Sequence, residues 1–172
     1  MFRAMRRSRQ QLSPEACAAV LERGTSGVLA VLGEEGYPYA VPLSYGYSQG
    51  KLYFHCAREG HKLEAIRRCP KVSFCVVDQD QVHPEEYTTY YRSVIAFGEA
   101  RVLEDEAEKA RAIRELSLRY HPAAQPQQLE ETIRREWAPL CVVEMDIQHL
   151  TGKEAIELVR ARQEELPQEE TR

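Results

Sequence analysis

The chain has 172 residues, of which 43% are hydrophobic and 29% charged, with a formal net charge of −4. This fits one globular domain long enough to bury a core, and it excludes a global electrostatic pull toward nucleic acid. No apolar run is long enough to span a bilayer, and the basic N-terminus lacks the apolar stretch of a secretory signal, so a cytoplasmic location is expected.

Residues 1–12 carry Arg3, Arg6, Arg7 and Arg9 and read as an N-terminal arm. Ser13-Pro14-Glu15 then gives an N-cap, a proline at the first helical position and an acid in the first turn. A helix is expected to about Glu22, with Cys17, Val20 and Leu21 on one face. Strands follow at hairpin spacing: Gly27 to Leu32, a turn at Gly33–Gly36, one long strand from Tyr37 to Tyr47, a turn at Ser48-Gln49-Gly50, then Lys51 to Cys56. A helix from His61 to Arg68 stops at Cys69-Pro70, because the residue before proline avoids helical dihedrals.

Lys71 to Val77 reads as a strand, Asp78 to Tyr87 as a polar loop, and Tyr90 to Leu103 as a long strand bent at Gly98. Helical periodicity covers Glu104 to Tyr120 and Gln125 to Trp137. Pro139 to Leu150 is the last expected strand, Thr151-Gly152-Lys153 leads into a short helix to Arg162, and 164–172 forms a flexible tail. Six consecutive strands with helices inserted between some of them predict a mainly β single domain, an antiparallel barrel with peripheral helices.

Five cysteines occur, at 17, 56, 69, 75 and 141, with no CxxC pair and no zinc-type spacing among the five histidines, so no metal is expected. The segment most suggestive of chemistry is Tyr53-Phe54-His55-Cys56-Ala57-Arg58-Glu59-Gly60-His61-Lys62. A strand ends in His55 and Cys56, and Gly60-His61-Lys62 opens a helix. That order aims backbone N–H groups, a lysine and a histidine at one spot, which suits a phosphate. A plain strand-to-helix turn is the competing reading.

Three further features accompany it. Pro42, within Val41-Pro42-Leu43-Ser44-Tyr45, lacks an N–H and so marks a sheet edge, whose free backbone groups suit a planar polar ring or a neighbouring subunit. The Tyr87–Ser93 segment joins three aromatic rings, hydroxyls and Arg92, either for stacking on a ring system or for packing on neighbours. Trp137, the single tryptophan, either caps a ring system or a dimer seam or anchors its helix.

The sequence resembles the pyridoxamine-phosphate-oxidase-like FMN-binding split barrels, and within them the nitroimidazole-resistance flavoproteins. The likeness rests on Met5-Arg6-Arg7 before Leu12-Ser13, Val41 to Tyr47, Tyr53 to Ala57 and Gly60-His61-Lys62. It continues through Pro70 to Phe74, Ser93 to Gly98 and Leu150 to Lys153. It implies a six-stranded antiparallel split β-barrel, a homodimer, and two flavins at the subunit interface: FMN, with FAD left open. Val41, Pro42, Leu43, Ser44 and Tyr45 would line the flavin ring. His55 and Cys56 would sit near it, His61 and Lys62 would hold the phosphate, and Ser93 would add a polar contact; Phe54 and Trp137 are further candidate contacts outside the resemblance. The family's C-terminal basic motif for pyridoxal phosphate is missing, which argues against vitamin B6 oxidation.

The implied function is a flavin-dependent oxidoreductase that takes electrons from a reduced nicotinamide or another donor and reduces small electrophiles such as nitroaromatic compounds. His55 is the candidate catalytic residue, because histidine is the side chain that exchanges protons near neutral pH. Two other classes remain open: a haem-binding or haem-degrading barrel using His55, His61, His83 or His149, and a non-enzymatic flavin-binding dimer. No nucleic-acid or membrane partner is expected.

Overall fold

The structure is a computed structural model that describes residues 2–165. Helix α1 (Pro14–Arg23) starts where the sequence dictates: Ser13 Oγ accepts a hydrogen bond from the Ala16 N–H at 3.2 Å, and Cys17, Val20 and Leu21 are buried. Seven strands follow, all paired antiparallel: β1 (Ser26–Leu32), β2 (Pro38–Ser44), β3 (Gly46–Ser48), β4 (Lys51–Ala57), β5 (Lys71–His83), β6 (Thr88–Val102) and β7 (Leu140–Glu154). Helix α2 (His61–Arg68) joins β4 to β5. Helices α3 (Glu106–Tyr120) and α4 (Pro126–Glu136) join β6 to β7, and α5 (Ile156–Glu165) ends the described chain.

The sheet order is β2-β1-β5-β6-β7-β4-β3. Its two edge strands, β2 and β3, are separated in sequence by Tyr45 alone. A single residue cannot cross a flat sheet, so the sheet must curl until its edges meet, a barrel with a split along one side. Leu29, Phe54, Phe74, Val94, Val143 and Met145 fill the interior and are fully buried. A second cluster, including Ile113, Leu116, Ile133 and Val142, packs α3 and α4 onto the outside of the β4–β7 half.

The strand count is seven rather than the expected six because the 37–47 segment breaks at Tyr45. The ring of Tyr45 is fully buried, its hydroxyl donates to the Leu21 carbonyl at 2.8 Å, and burial pushes the phenol up to about 12. The Tyr120 hydroxyl accepts from the Tyr45 N–H at 3.0 Å and lies 2.8 Å from its carbonyl oxygen, which takes Tyr45 out of the ladder. These partners come from elements 24 and 75 positions away.

Two other boundaries differ. Residues 78–83, expected in a loop, continue β5 and pair with 88–92 across a bulge at Val77/Gln79. Residues 151–154, expected to lead a helix, extend β7 opposite β6. The bend expected at Gly98 is a register shift between Phe97 and Gly98. The arm at 1–12 is seated rather than solvated over its second half: Gln10 is buried, with its side-chain amide donating to the Glu154 carbonyl, and the Leu12 N–H donates to Gly152. The tail expected at 164–172 lies outside the described residues from 166 onward.

Three acidic side chains, Asp78, Glu144 and Glu154, are buried with their counter-ions. Asp78 receives hydrogen bonds from Arg23 at 2.6 Å and from Arg92 at 3.2 Å, and Glu144 pairs with Lys51 at 3.0 Å and Arg101 at 2.9 Å. Burial alone would raise both carboxyls, but the cationic donors overcome it and hold both below their ordinary values of 3.8 and 4.5. A carboxyl whose folded value lies below its unfolded value contributes its full stability above the unfolded value and loses it as pH falls through the folded one. The thermal midpoint is therefore expected to hold steady down to about pH 5 and to drop below about pH 4. Circular dichroism melts across that range check it, and a midpoint unchanged into strong acid would contradict the pairing.

Candidate functional site

Strand β2 is an edge, paired only with β1, and Pro42 sits in it opposite Val28. Its alternation turns Tyr39, Val41 and Leu43 against the core and leaves Pro38, Ala40, Pro42 and Ser44 exposed. The expected lining strand thus divides into two faces. Val41 and Leu43 are half-buried barrel residues, and Pro42 and Ser44 face outward. Tyr45 is wholly internal, so any contact it offers outside comes through its backbone. Phe54 is also fully buried and stacks near Phe74.

At the end of β4 the register sets His55 opposite Val142 and Cys56 opposite Cys141. His55 is exposed, and Cys56 is half-buried toward the core. Burial, followed by the neighbouring Cys141, pushes the Cys56 thiol up to about 11, against an opposing pull from Lys62 and Arg67. Cys56 is therefore a protonated thiol at neutral pH and a poor nucleophile. With only about one thiol in a thousand ionised at pH 8, Cys56 is expected to alkylate far more slowly in the native protein than in urea. Mass-spectrometric labelling of individual cysteines measures this directly, and fast native labelling of Cys56 would contradict its placement.

Helix α2 begins four positions after β4 ends, so its first turn follows closely on the end of that strand. Gly60, the N-cap, adopts φ +133°, a backbone conformation that glycine reaches without strain, and it offers no capping side chain. The first amides of α2 consequently lack a side-chain acceptor. Lys62 is half-buried and forms no ion pair among the described residues.

His61 stacks on Tyr39 of β2, ring centroids 4.2 Å apart and 23° between planes. A side chain built at Gly33 would start 3.6 Å from His61 Nε2 and 2.6 Å from the Tyr37 carbonyl oxygen, so the β1–β2 turn closes tightly under the same histidine. One locus therefore holds the uncapped start of α2, Lys62, His61 and the free edge of β2. Tyr39 is the member sequence reasoning missed. Its signal was the alternation it shares with Val41 and Leu43.

Ser93 and Trp137 lie elsewhere. Ser93 pairs with Val77 and Lys153, whereas His55 pairs with Val142. These points on β7 are eleven positions apart (142 to 153), roughly 36 Å of strand. A single protomer does not bring Ser93 and His55 together. Trp137 packs on the α3–α4 cluster with the Lys109 ammonium 4.1 Å from its ring centroid, so within the protomer it anchors helices.

The outward face of β2, β1, β5 and β6 is the other unusual surface. Pro42, Val28, Cys75 and Ile95 follow one another across four strands in a single row. Val28, Leu32, Val77 and Ile95 are 38%, 49%, 62% and 37% exposed. Beside them an apolar cleft of about 480 Å³ is lined by Phe2, Ala30, Leu32, Pro38 and Phe97.

A curled antiparallel sheet with a split edge and a basic helix start beside it defines the split-barrel class. Residues 13–154 match the family model of pyridoxamine 5'-phosphate oxidase, and the chain belongs to that family. Among solved structures it is similar to a candidate 5-nitroimidazole antibiotic resistance protein from Bacteroides thetaiotaomicron. That pair shares 20% identity and a TM-score of 0.70 over 83% of this chain and 85% of the other. An FAD-binding protein from Mesorhizobium loti shares 27% identity, with a TM-score of 0.64 over 85% and 97%. An FAD- and haem-binding protein from Mycobacterium smegmatis shares 21% identity, with a TM-score of 0.67 over 88% and 80%. No curated protein sequence matches the chain. No helix among the described residues is long and apolar enough to cross a membrane.

Proposed function

We propose that this protein is a flavin-binding oxidoreductase that works as a homodimer, with one flavin in each of two sites between the subunits, and reduces small electrophiles such as nitroaromatic compounds. The observation that carries the reading is the meeting of the free β2 edge with the uncapped start of α2 at the Tyr39–His61 stack. The donor set fits a flavin mononucleotide moiety. Amides and a lysine suit its phosphate, and the unpaired backbone of an edge strand suits the alternating carbonyl and N–H groups of its ring. Family membership and the FAD-binding relative support the same cofactor class.

Lys62 and the first α2 amides hold the phosphate, with His61 fixed beside them by Tyr39. The backbone of residues 41–45 orients the ring. Bound flavin supplies the two-electron chemistry, and the protein supplies binding, orientation and proton handling. His55, exposed at the end of β4, holds a proton at its imidazole for delivery to the reduced acceptor.

The apolar row across Pro42, Val28, Cys75 and Ile95 forms the seam with a second copy. Ser93, on that same outward surface, then reaches the flavin of the other subunit. A reduced nicotinamide would supply the electrons to a flavin held here. The test is anaerobic addition of NADH or NADPH to the purified yellow protein, followed by a nitroimidazole. Bleaching and then recovery of the flavin band is expected. A flavin that neither nucleotide bleaches would leave a binding protein without this activity.

A further inference from the structure

A cleft of about 220 Å³ opens between the β4–α2 loop, the end of β6 and the start of β7. None of Tyr39, His61 or the β2 residues lines it. Three cations do: Arg58, Arg67 and Lys109, with Glu104 as the single carboxylate and Leu103 and Leu140 as apolar wall. Arg58 and Arg67 are exposed, whereas Lys109 is only 5% exposed. Lys109 nonetheless lines the cleft. It touches the face of Trp137 and reaches the Trp137 carbonyl oxygen at 3.4 Å, a long contact.

None of the three cations has a carboxylate partner among the described residues. This is unlike the other buried charges of the protein: Asp78, Glu144 and Glu154 each have two cationic partners. Burial, followed by the nearby Arg58 charge, also pushes Lys109 below its ordinary value, against an opposing pull from Glu106, which forms no ion pair with it. A buried ammonium is retained where something anionic compensates it.

We propose that this cleft binds the phosphate group of a small phosphorylated ligand, distinct from the phosphate held at the start of α2. Lys109 supplies the inner charge and Arg58 and Arg67 close on the anion from the solvent side. Guanidinium forks match phosphate oxygens in pairs, and the volume accommodates a phosphate with a small apolar body against Leu103 and Leu140.

The test is calorimetric titration of the full-length protein with inorganic phosphate and with pyrophosphate, flavin-free and flavin-saturated, with Trp137 fluorescence read alongside. Trp137 is the only tryptophan, so its emission reports movement of Lys109. One-site binding of equal affinity in both forms is expected, with a change in Trp137 emission. Arg58→Gln and Arg67→Gln are each expected to weaken it at least tenfold while leaving flavin retention unchanged. Lys109→Gln should abolish it; should that variant not fold, the two exposed arginines decide alone.

Absence of heat and of any emission change up to roughly 10 mM ligand would overturn the site. So would binding lost on loading flavin, which would make it the flavin's own phosphate position, or binding indifferent to both arginine substitutions. If the protein takes up no flavin, the flavin-free titration still decides, so failure of the flavin reading and of this one remain separable.

Discussion

Lys62→Ala is expected to lower flavin affinity more than tenfold, about 1.4 kcal/mol or more, while leaving the fold intact. The substitution removes the half-buried cation at the start of α2, where the first amides have no capping side chain. An ammonium paired with a phosphate in a partly desolvated site is a charge-assisted contact, worth more than a neutral hydrogen bond. Lysine also lies where a helix N-terminus already favours an anion, so the two attractions act on the same group. The fold is insulated because Lys62 forms no ion pair among the described residues and Leu63 and Ile66, which anchor α2, are untouched. Equilibrium dialysis against FMN measures the change. Undiminished retention in Lys62→Ala would remove the phosphate assignment and leave the β2 edge without its anchor.

Arg92→Met is expected to cost about 3 kcal/mol of folding stability. Arg92 bridges two buried carboxylates, donating to Glu154 at 3.0 Å and to Asp78 at 3.2 Å. The Glu154 side chain is 1% exposed and that of Asp78 is 9% exposed. Removing the arginine leaves both with one partner fewer where water cannot replace it. The remaining partners, Arg162 at 2.8 Å and Arg23 at 2.6 Å, keep the cost near the lower end for a broken buried pair. Urea unfolding checks it, with a lower midpoint and an unchanged slope. The exposed Arg114–Glu130 pair is the control. Arg114→Met is expected to leave the midpoint unmoved, because an exposed pair is screened by water. Equal effects of the two substitutions would mean the buried network is not coupled as described.

The parts of the molecule legible in the sequence were those set by neighbours in the chain. Ser13-Pro14 begins α1 and Cys69-Pro70 ends α2, each through local hydrogen bonds or local sterics. The parts that were not legible depend on partners distant in sequence. Tyr45 looks like any strand residue until Leu21 and Tyr120 bond it from two other elements. The polar run at 78–83 lacks the signature of a buried strand because it stands clear of the core as half of a hairpin, held by backbone pairing with 88–92. Thr151 to Glu154 extends β7 through pairing with residues 92–95 of β6, a partner distant in sequence.

The candidate site divides in the same way. The turn from His55 to Lys62 and the edge character of Pro42 follow from residue chemistry alone. The Tyr39–His61 stack, which joins them, needs the curl of the sheet. The separation of Ser93 from His55 needs the register of β7, and it is what makes a second subunit necessary if both are to meet one flavin. The cationic cleft drew no notice in sequence because Arg58, Arg67 and Lys109 lie on three elements with no shared spacing.

The most direct test of the central claim is light scattering of the purified protein on a sizing column, with visible absorbance recorded across the same peak. A molar mass twice the chain's 19.8 kDa, with flavin absorbance following the protein at one flavin per chain, is the predicted result. A monomeric peak that carries the flavin, or a dimeric peak that takes up none when FMN and FAD are supplied, would contradict a flavin site built between two subunits.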